Sequence, residues 1–494
     1  MPPSPHRRAL VPTLVGLTLV VSIISSLGAP LIPDVADSLG VPISSAQWSL
    51  TSALLAGAIA APIVGRLGDG PWRRETMIVV LVVVTVGGLI AGLAETLPLL
   101  IVGRSMQGIG LGLAPIAMAA ARDHLPPERG TAAIGLLSVS GAAGVGLGYP
   151  ISGLIAAQFD VRVAFFFGAA FSGLALLLAL PFIPSSRGSS AMPLDVRSAA
   201  VGGVGVVALL LGVGQGEQWG WGSPAVLGCF AAAVAVLGLW AHMQLNRPAP
   251  LVDLRQLRHR AVLGADLAAV LLGVSLYMFL TLVTEFVQTP AAEGFGFDAS
   301  TLTAGLCLVP FSICSLAASR VMSSATRRLG TRALLVFGTL VIAVAGSFFA
   351  LVHSALWQAF ATMALVGIGF GFTFAVIPGL IARSVPHREV GSAMGFYQVI
   401  RSIGFSVGSA LVASVLAAHE PQGGGFPTQQ GYSTALWIGA GICLLAALTA
   451  ALLSPPNEGM VEAEIDEYAR GDAELASAGL PDRTPPKPSR QAGR

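Results

Sequence analysis

The sequence predicts an all-α integral membrane protein of fourteen transmembrane helices, and three observations predict it. The first is composition: 54% of the 494 residues are hydrophobic and 11% are charged, against about 25% charged in soluble domains. Such a chain cannot be mostly soluble. The second is the recurrence of apolar runs, each near the ~20 residues that cross a ~30 Å hydrocarbon core. They lie at 10–32, 46–64, 76–94, 98–120, 131–156, 162–183, 198–215, 223–242, 262–288, 300–322, 330–352, 355–380, 391–418 and 432–453. The third is charge placement. With the N-terminus in the cytoplasm, Arg162 is the one arginine in an outer loop and Arg104 and Arg401 lie within helices. Every other one of the 27 basic residues then falls inside. The positive-inside rule holds at every loop, an odd change in helix number would break it, and both termini are cytoplasmic.

Taken in order, the first run follows Arg7-Arg8 as a signal peptide would. It exceeds the 7–15-residue apolar region of such peptides, and similar runs follow it, so it is the first membrane helix. Between the second and third runs lies the stretch that organises the chain, Gly65-Arg66-Leu67-Gly68-Asp69-Gly70-Pro71-Trp72-Arg73-Arg74. It is expected to be a tight hairpin, with Gly70-Pro71 forcing the turn and Asp69 facing Arg73 and Arg74 across it. A carboxylate beside two guanidiniums makes a latch that one conformation holds and another releases; the plainer reading is an ordinary basic inner loop.

The fourth run carries Arg104 in its outer half, followed by Gln107 and Gly108. A permanent charge there would lower the pKa of a nearby acid as helices move, or else simply bond backbone carbonyls. In the fifth run Gly144, Gly148 and Gly153 permit close helix crossing and Pro150 can kink the helix. Small-residue packing without functional meaning competes with that reading. The seventh and eighth runs sit between the polar stretch 184–197 and the arginine-rich segment 243–261. The ninth carries Asp266 near its start, where a carboxylate suits the helix dipole, and Glu285 near its outer end. Glu285 is a candidate for binding protons and attracting cationic substrates, with simple hydration as the alternative. Tyr277, Phe286, Gln288, Phe374, Tyr397 and Arg401 are expected around a central pocket.

An internal repeat groups the runs. Gly108-Ile-Gly-Leu-Gly in the fourth returns as Gly367-Ile-Gly-Phe-Gly in the twelfth, and the Arg122 to Gly130-Thr-Ala132 loop returns as Arg383 to Gly391-Ser-Ala393. The Arg327–Arg332 loop echoes the 65–74 stretch without its aspartate. Two parallel six-helix halves related by an axis along the membrane normal give this pattern. The expected organisation is a cytoplasmic N-terminus at 1–9, a first half at 10–183, a linker with two inserted helices at 184–261, a second half at 262–453 and a disordered cytoplasmic tail at 454–494.

Other functions are excluded by what the chain lacks or where its residues fall. No Gly-Lys-Ser/Thr triplet exists, so this chain is not a P-loop ATPase. Gly404-Phe-Ser406-Val-Gly408 matches a nucleophile-elbow string but lies in a membrane helix instead of after a strand. The four cysteines sit inside apolar runs, and no histidines have metal-site spacing. Neither an enzyme, a metal site, nor nucleic-acid binding is expected.

The 65–74 stretch resembles the loop between helices 2 and 3 of the major facilitator superfamily, roughly G-x-L-x-D-x-x-G-R-[KR]. Gly65, Asp69, Arg73 and Arg74 match, while Pro71-Trp72 replaces small residues. Arg104-x-x-Gln107-Gly108 resembles the superfamily's R-x-x-Q-G, whose arginine is associated with proton transfer. Residues 141–153 are similar to its antiporter-associated G-x-x-x-G-P-x-x-G-G, with Tyr149 intruding and Ser152 replacing a glycine. The aspartate that members carry in helix 1 ahead of A-L-P is missing from Val21–Pro30. The nearest acid is Asp34, either paired with Arg104 or solvated in a loop. Arg401 mirrors an R-x-x-G feature of the fourteen-helix drug exporters, as gate or buried strut.

The resemblance covers 10–453 and is greatest to the fourteen-helix drug/proton antiporters. It implies a major facilitator fold, two six-helix halves plus two inserted helices, rocking about a central cavity by alternating access. It implies a part in proton transfer for Arg104 and a gate at Gly65, Asp69, Arg73 and Arg74. Glu285, which stands where the family has apolar residues, Asp34 and Asp266 are the acids expected to couple with it. The expected partners are the lipid bilayer, protons and a small amphipathic organic substrate such as a drug or antibiotic, cations among them. The expected protein is a monomer in the cell membrane, needing no cofactor beyond a proton gradient. A transporter of one metabolite and a non-transporting membrane receptor remain as alternatives.

Overall fold

The computed structural model describes residues 5–27, 31–183, 195–247, 250–258, 260–385, 389–421 and 426–453. The end of the Val21–Pro30 stretch, most of the 184–197 boundary and the tail lie outside the described residues. Among the described residues every regular element is a helix, and fourteen are long and apolar enough to cross a membrane. They are α1 (Pro5–Ser26), α2 (Trp48–Gly68), α3 (Arg73–Gly92), α4 (Leu97–His124), α5 (Pro127–Gln158), α6 (Val161–Ala179) and α7 (Val196–Gly214). Then follow α8 (Pro224–Leu245), α9 (Arg260–Gln288), α10 (Thr301–Cys307 continued by Val309–Leu329), α11 (Thr331–Leu351), α12 (Leu356–Arg383), α13 (Val390–Ala417) and α14 (Gln429–Leu453).

The apolar runs mark these helices well and their ends less well. The expected hairpin over 65–74 is shorter than the sequence suggests. α2 continues through Gly65-Arg66-Leu67-Gly68, because Arg66 is buried at 4% exposure and is no signal of a loop. Only residues 69–72 turn. α4 is interrupted at its glycine repeat by a 3₁₀ turn, Ile109–Gly112, and α10 breaks at Leu308, two residues ahead of Pro310, where the proline ring and missing N–H disfavour a continuous helix.

The repeat has a packing reason. A Cβ on Gly108 would collide with the Ala53 carbonyl of α2, and one on Gly367 with the Phe311 carbonyl of α10. Each glycine lets its helix lie directly on its partner's backbone. One large apolar core, including Leu14, Leu81, Ile116, Phe279, Phe349 and Phe374, runs through the bundle.

α5 packs on α1 and on α10 and α12, while α2 packs along α13. Those two seams join the first six helices to the last six. The extra pair, α7 and α8, packs outside them. α7 lies on α2 and α13 as well as on α8, whereas only 11% of the α8 span is buried, as suits a helix facing lipid. The connection between α7 and α8 reaches both sides of that seam: Gln218 bonds Gln47 at the start of α2, and the Trp221 indole N–H donates to Ser414 of α13 at 3.1 Å.

Candidate gate and central chamber

At the arginine-rich end of the bundle the first turn of α13 has amides that no helix carbonyl can reach. Its own N-cap residue, Glu389, makes no side-chain cap. Asp69, at the end of α2, supplies the cap from another helix. Its two carboxylate oxygens accept the backbone N–H groups of Gly391 at 2.6 Å and Ser392 at 2.8 Å. Asp69 is 4% exposed. Burial pushes its carboxyl up to about 7, opposed by the Ser392 and Gly391 N–H groups and by Arg66 and Arg73.

Contact here is backbone to backbone. A Cβ on Gly65 would strike the Gly391 carbonyl, and one on Gly391 would strike the Gly65 carbonyl and the Asp69 carboxylate.

The latch is therefore wired differently from the expectation that Asp69 would hold Arg73 and Arg74 directly. Arg73 donates to the Gly68 carbonyl at 2.6 Å and pairs with Asp123, at the end of α4, at 2.6 Å. Arg74 reaches the Leu180 carbonyl at 3.2 Å. The physical reason is the shortened turn: α2 runs on to Gly68, so Asp69 leaves at the seam with α13 while Arg73 begins α3 against α4. Two more ties cross between the two sets of six helices at this end, Arg122 to the Val385 carbonyl at 3.3 Å and Arg383 to the Thr131 hydroxyl at 3.4 Å. Asp123 and this reciprocal arginine pair were missed in the sequence, although the repeat placed Arg122 and Arg383 in corresponding loops.

Arg104 is fully buried. It donates to the Ser49, Ile24 and Ser25 carbonyls at 3.3, 3.3 and 3.2 Å and to Gln107 at 2.7 Å, with the Phe165 ring 5.7 Å away. All are neutral acceptors, so Arg104 clamps α1 and α2 onto α4. The alternative of a pair with Asp34 is not realised; Asp34 is exposed on a short helix, Ile32–Leu39.

Gly144 and Gly148 bring α5 against α1, where added methyls would meet Ser22 and Ser26, and Gly153 faces Leu302 of α10. Ser152 turns its hydroxyl to the Leu27 carbonyl at 3.0 Å and the Gly148 carbonyl at 2.8 Å, so the residue that departs from the glycine pattern ties α5 to the end of α1. Pro150 lies within an uninterrupted helix. Tyr149, the other departure, lies beside Tyr277 of α9.

Between α1, α4, α5 and α13, midway along the helices, is a narrow chamber of about 10 Å³, room for roughly one water, lined by Thr18, Ser22, Ser138, Gly141, Gln398 and Arg401 among others. Tyr397 borders it, its hydroxyl 3.3 Å from that of Ser138. Arg401 is 5% exposed, with Phe374, Tyr397 and Phe405 rings 5.5 to 5.6 Å from its guanidinium carbon. Phe286 is a correction. It is 1% exposed and packs on Phe295, Phe349, His353 and Tyr432 inside the last six helices. One residue along a helix turns the side chain by ~100°, so Phe286 points away from the side taken by Glu285. Gln288 donates to the Thr284 carbonyl of its own helix at 3.0 Å and lies near the helix end, above the chamber.

Glu285 is exposed, and it lies within electrostatic range of Tyr149, Tyr277 and Tyr432 and of Glu217 from the α7–α8 connection. Glu217 and the nearby Glu420 were not singled out in the sequence. Asp266 is 6% exposed, has one carboxylate oxygen without a hydrogen-bond partner, and lines a cleft with Gln256, Ser392 and Phe396. The two membrane acids thus sit near opposite ends of α9. Among the described residues no group of three or more His, Cys, Asp or Glu is placed to hold a metal.

The family model described as Major Facilitator Superfamily matches residues 14–409 and, in a second match, 267–467. The multidrug resistance protein Stp of Mycobacterium tuberculosis (strain ATCC 25618 / H37Rv) is 25% identical over 396 residues, covering 78% of this chain and 72% of that protein. The puromycin resistance protein pur8 of Streptomyces alboniger is 26% identical over 472 residues, covering 91% and 92%. Among solved structures, the human organic anion transporter MFSD10 superposes with a TM-score of 0.63 at 18% identity, covering 91% of this chain and 100% of that one. At that identity the likeness is one of fold.

Proposed function

The chain belongs to the major facilitator superfamily, and on that premise we propose that it is a secondary efflux transporter exporting amphipathic organic compounds, drugs or antibiotics among them, in exchange for protons. The observation that carries this is the set of ties at the arginine-rich end. Asp69 caps α13, and Arg122 and Arg383 reach across in return. All of these join the first six helices to the last six, and all are polar contacts that can be released and remade. They close the cytoplasmic side of a central chamber, as an outward-facing step of alternating access requires. The relatives named for drug and puromycin resistance support export as its direction.

In this reading residues 10–183 and 262–453 are the two rocking halves, joined through a linker at 184–261 that carries α7 and α8. The protein is a monomer in the cell membrane with both termini in the cytoplasm, the side to which the arginines assign them. It runs on the proton gradient and has no catalytic centre. Protons enter at Glu285 from outside and leave towards Asp266 at the inner end of the same helix. Arg104 takes part through α1, whose carbonyls it holds; Asp34 is a solvated acid at the outer rim.

The test is uptake into inverted membrane vesicles with an acid interior, using ethidium, fluorescein and chloramphenicol as cationic, anionic and neutral probes. Uptake of at least one, lost with an uncoupler and in Glu285→Gln, is the expected result. Gradient-driven uptake that survives Glu285→Gln but not Asp266→Asn moves the coupling site to Asp266. No energised uptake of any probe sinks the export reading.

A further inference from the structure

The chamber holds a charge without a counter-charge. Arg401 lies midway along α13 and is 5% exposed. One of its Nη2 hydrogens goes to the side-chain Oε1 of Gln398 at 2.7 Å, while Nε and Nη1 have no hydrogen-bond partner. The ion pairs among the described residues, Arg73 with Asp123 and Arg247 with Asp195, both lie at the arginine-rich end. The rings of Phe374, Tyr397 and Phe405 offer their faces to the guanidinium, which lessens the cost of burying it but supplies no acceptor for its N–H groups. Towards α5 the missing side chain of Gly141 leaves a gap about one methyl wide beside Nη2: a Cβ there would stand 3.7 Å from it, in ordinary contact.

We propose that Arg401 is the anion-recognition group of the transport site and that the substrates exported are organic anions, bound by a carboxylate or comparable anionic oxygen. This rests on the export reading above and gives it a substrate class. A guanidinium stays charged in any protein environment. Left alone in a chamber away from bulk water it has both an unbalanced charge and unmet donors. A single anionic oxygen group corrects both defects together. An organic cation there meets a like charge, whose juxtaposition is strongly unfavourable. Thr18, Ser22 and Ser138 line the same narrow chamber and offer neutral polar contacts to the rest of a ligand once the two halves move apart and widen it. The ends of the path agree with this assignment: arginines crowd the cytoplasmic entrance and draw anions in, while Glu217 and Glu285 stand on the outer side and oppose rebinding.

Fluorescein and rhodamine 6G share a xanthene ring system and differ in charge, so the pair isolates the anion term. Concentration-dependent uptake of each is measured in inverted vesicles holding the full chain, Arg401→Gln or Arg401→Lys. The expected result is preferential uptake of fluorescein by the intact protein and a KM for it raised roughly 10- to 100-fold in Arg401→Gln, the loss of a hydrogen bond to a charged group. Arg401→Lys retains part of the affinity, and rhodamine 6G uptake does not fall in either variant. Rhodamine 6G carried in preference to fluorescein overturns the anion site and leaves export standing. Equal loss of both dyes in both variants, with unchanged size-exclusion profiles, makes Arg401 a strut and also overturns it. Uptake of neither dye while chloramphenicol is carried rejects the anion site alone; uptake of nothing rejects export itself.

Discussion

Replacing Asp69 by alanine removes the cap that α2 places on α13. Two amides in the first turn of that helix, those of Gly391 and Ser392, lose acceptors at 2.6 and 2.8 Å. The site is buried, and its neighbouring cap residue Glu389 offers no side-chain substitute. Loss of an N-cap costs about 0.5–2 kcal/mol, and a buried donor left unmet costs ~1–3 kcal/mol. Water reaches these amides once the seam opens, so the penalty falls on the closed state alone. A combined figure of about 2–4 kcal/mol shifts the closed-to-open ratio by roughly 30- to 700-fold at 1.4 kcal/mol per decade. The assay is a pulsed electron–electron distance measurement between spin labels at Arg129→Cys and Arg328→Cys, both exposed at the arginine-rich end of different halves. The four native cysteines are replaced first. In the Asp69→Ala background the longer-distance population is expected to become the major one. A distribution identical to that of the parent, with transport rate unchanged, would refute the cap as the latch.

Gly65→Ala is expected to act in the same direction by sterics, because its methyl collides with the Gly391 carbonyl only when the seam is shut; the same labels report it, and a normal closed population refutes the contact. The Asp69 carboxyl is raised to about 7 in the closed state and returns towards its ordinary value near 4 when released to water. The closed state then binds the extra proton, so closure is favoured at low pH and weakened as pH rises through about 7. Titrating the label distances from pH 5 to 8 should show this trend, and Asp69→Asn should abolish it. Arg73 and Asp123 form a brace with one partner buried and the other partly exposed. A double-mutant cycle of Arg73→Gln and Asp123→Asn on the same equilibrium should give a coupling of about 1 kcal/mol, and additive effects would dismiss it.

Helix number was readable because each crossing needs a long apolar run and because arginines mark one face of the membrane. The glycine repeats were readable too, since Gly108 and Gly367 stand where two helices must touch. Side-chain partners were not. Arg104 bonds carbonyls of α1 and α2, and every residue has a carbonyl, so no sequence pattern announces that choice. The wiring of Asp69 was hidden for a similar reason: its acceptors meet backbone amides of α13, more than 300 residues away in the chain. Arg74 was paired with Asp69 in the sequence because both flank one turn; extension of α2 by a single turn beyond its apolar run sends them apart. Phe286 and Glu285 are neighbours in sequence and face different surroundings, a distinction that needs the helix's rotation as well as its span.

The pair α7 and α8 has a bearing on how a hydrophobic compound arrives. A transporter that takes substrates from the inner leaflet needs a lateral opening between its two halves, and such openings form along the seams. One seam, α2 against α13, has α7 lying along its lipid side and the Gln218–Trp221 connection crossing its outer end. The other, α5 against α10, has no such cover from the extra helices. Compounds dissolved in the bilayer would therefore meet a single doorway in place of two, and the protein would have a preferred side towards the lipid.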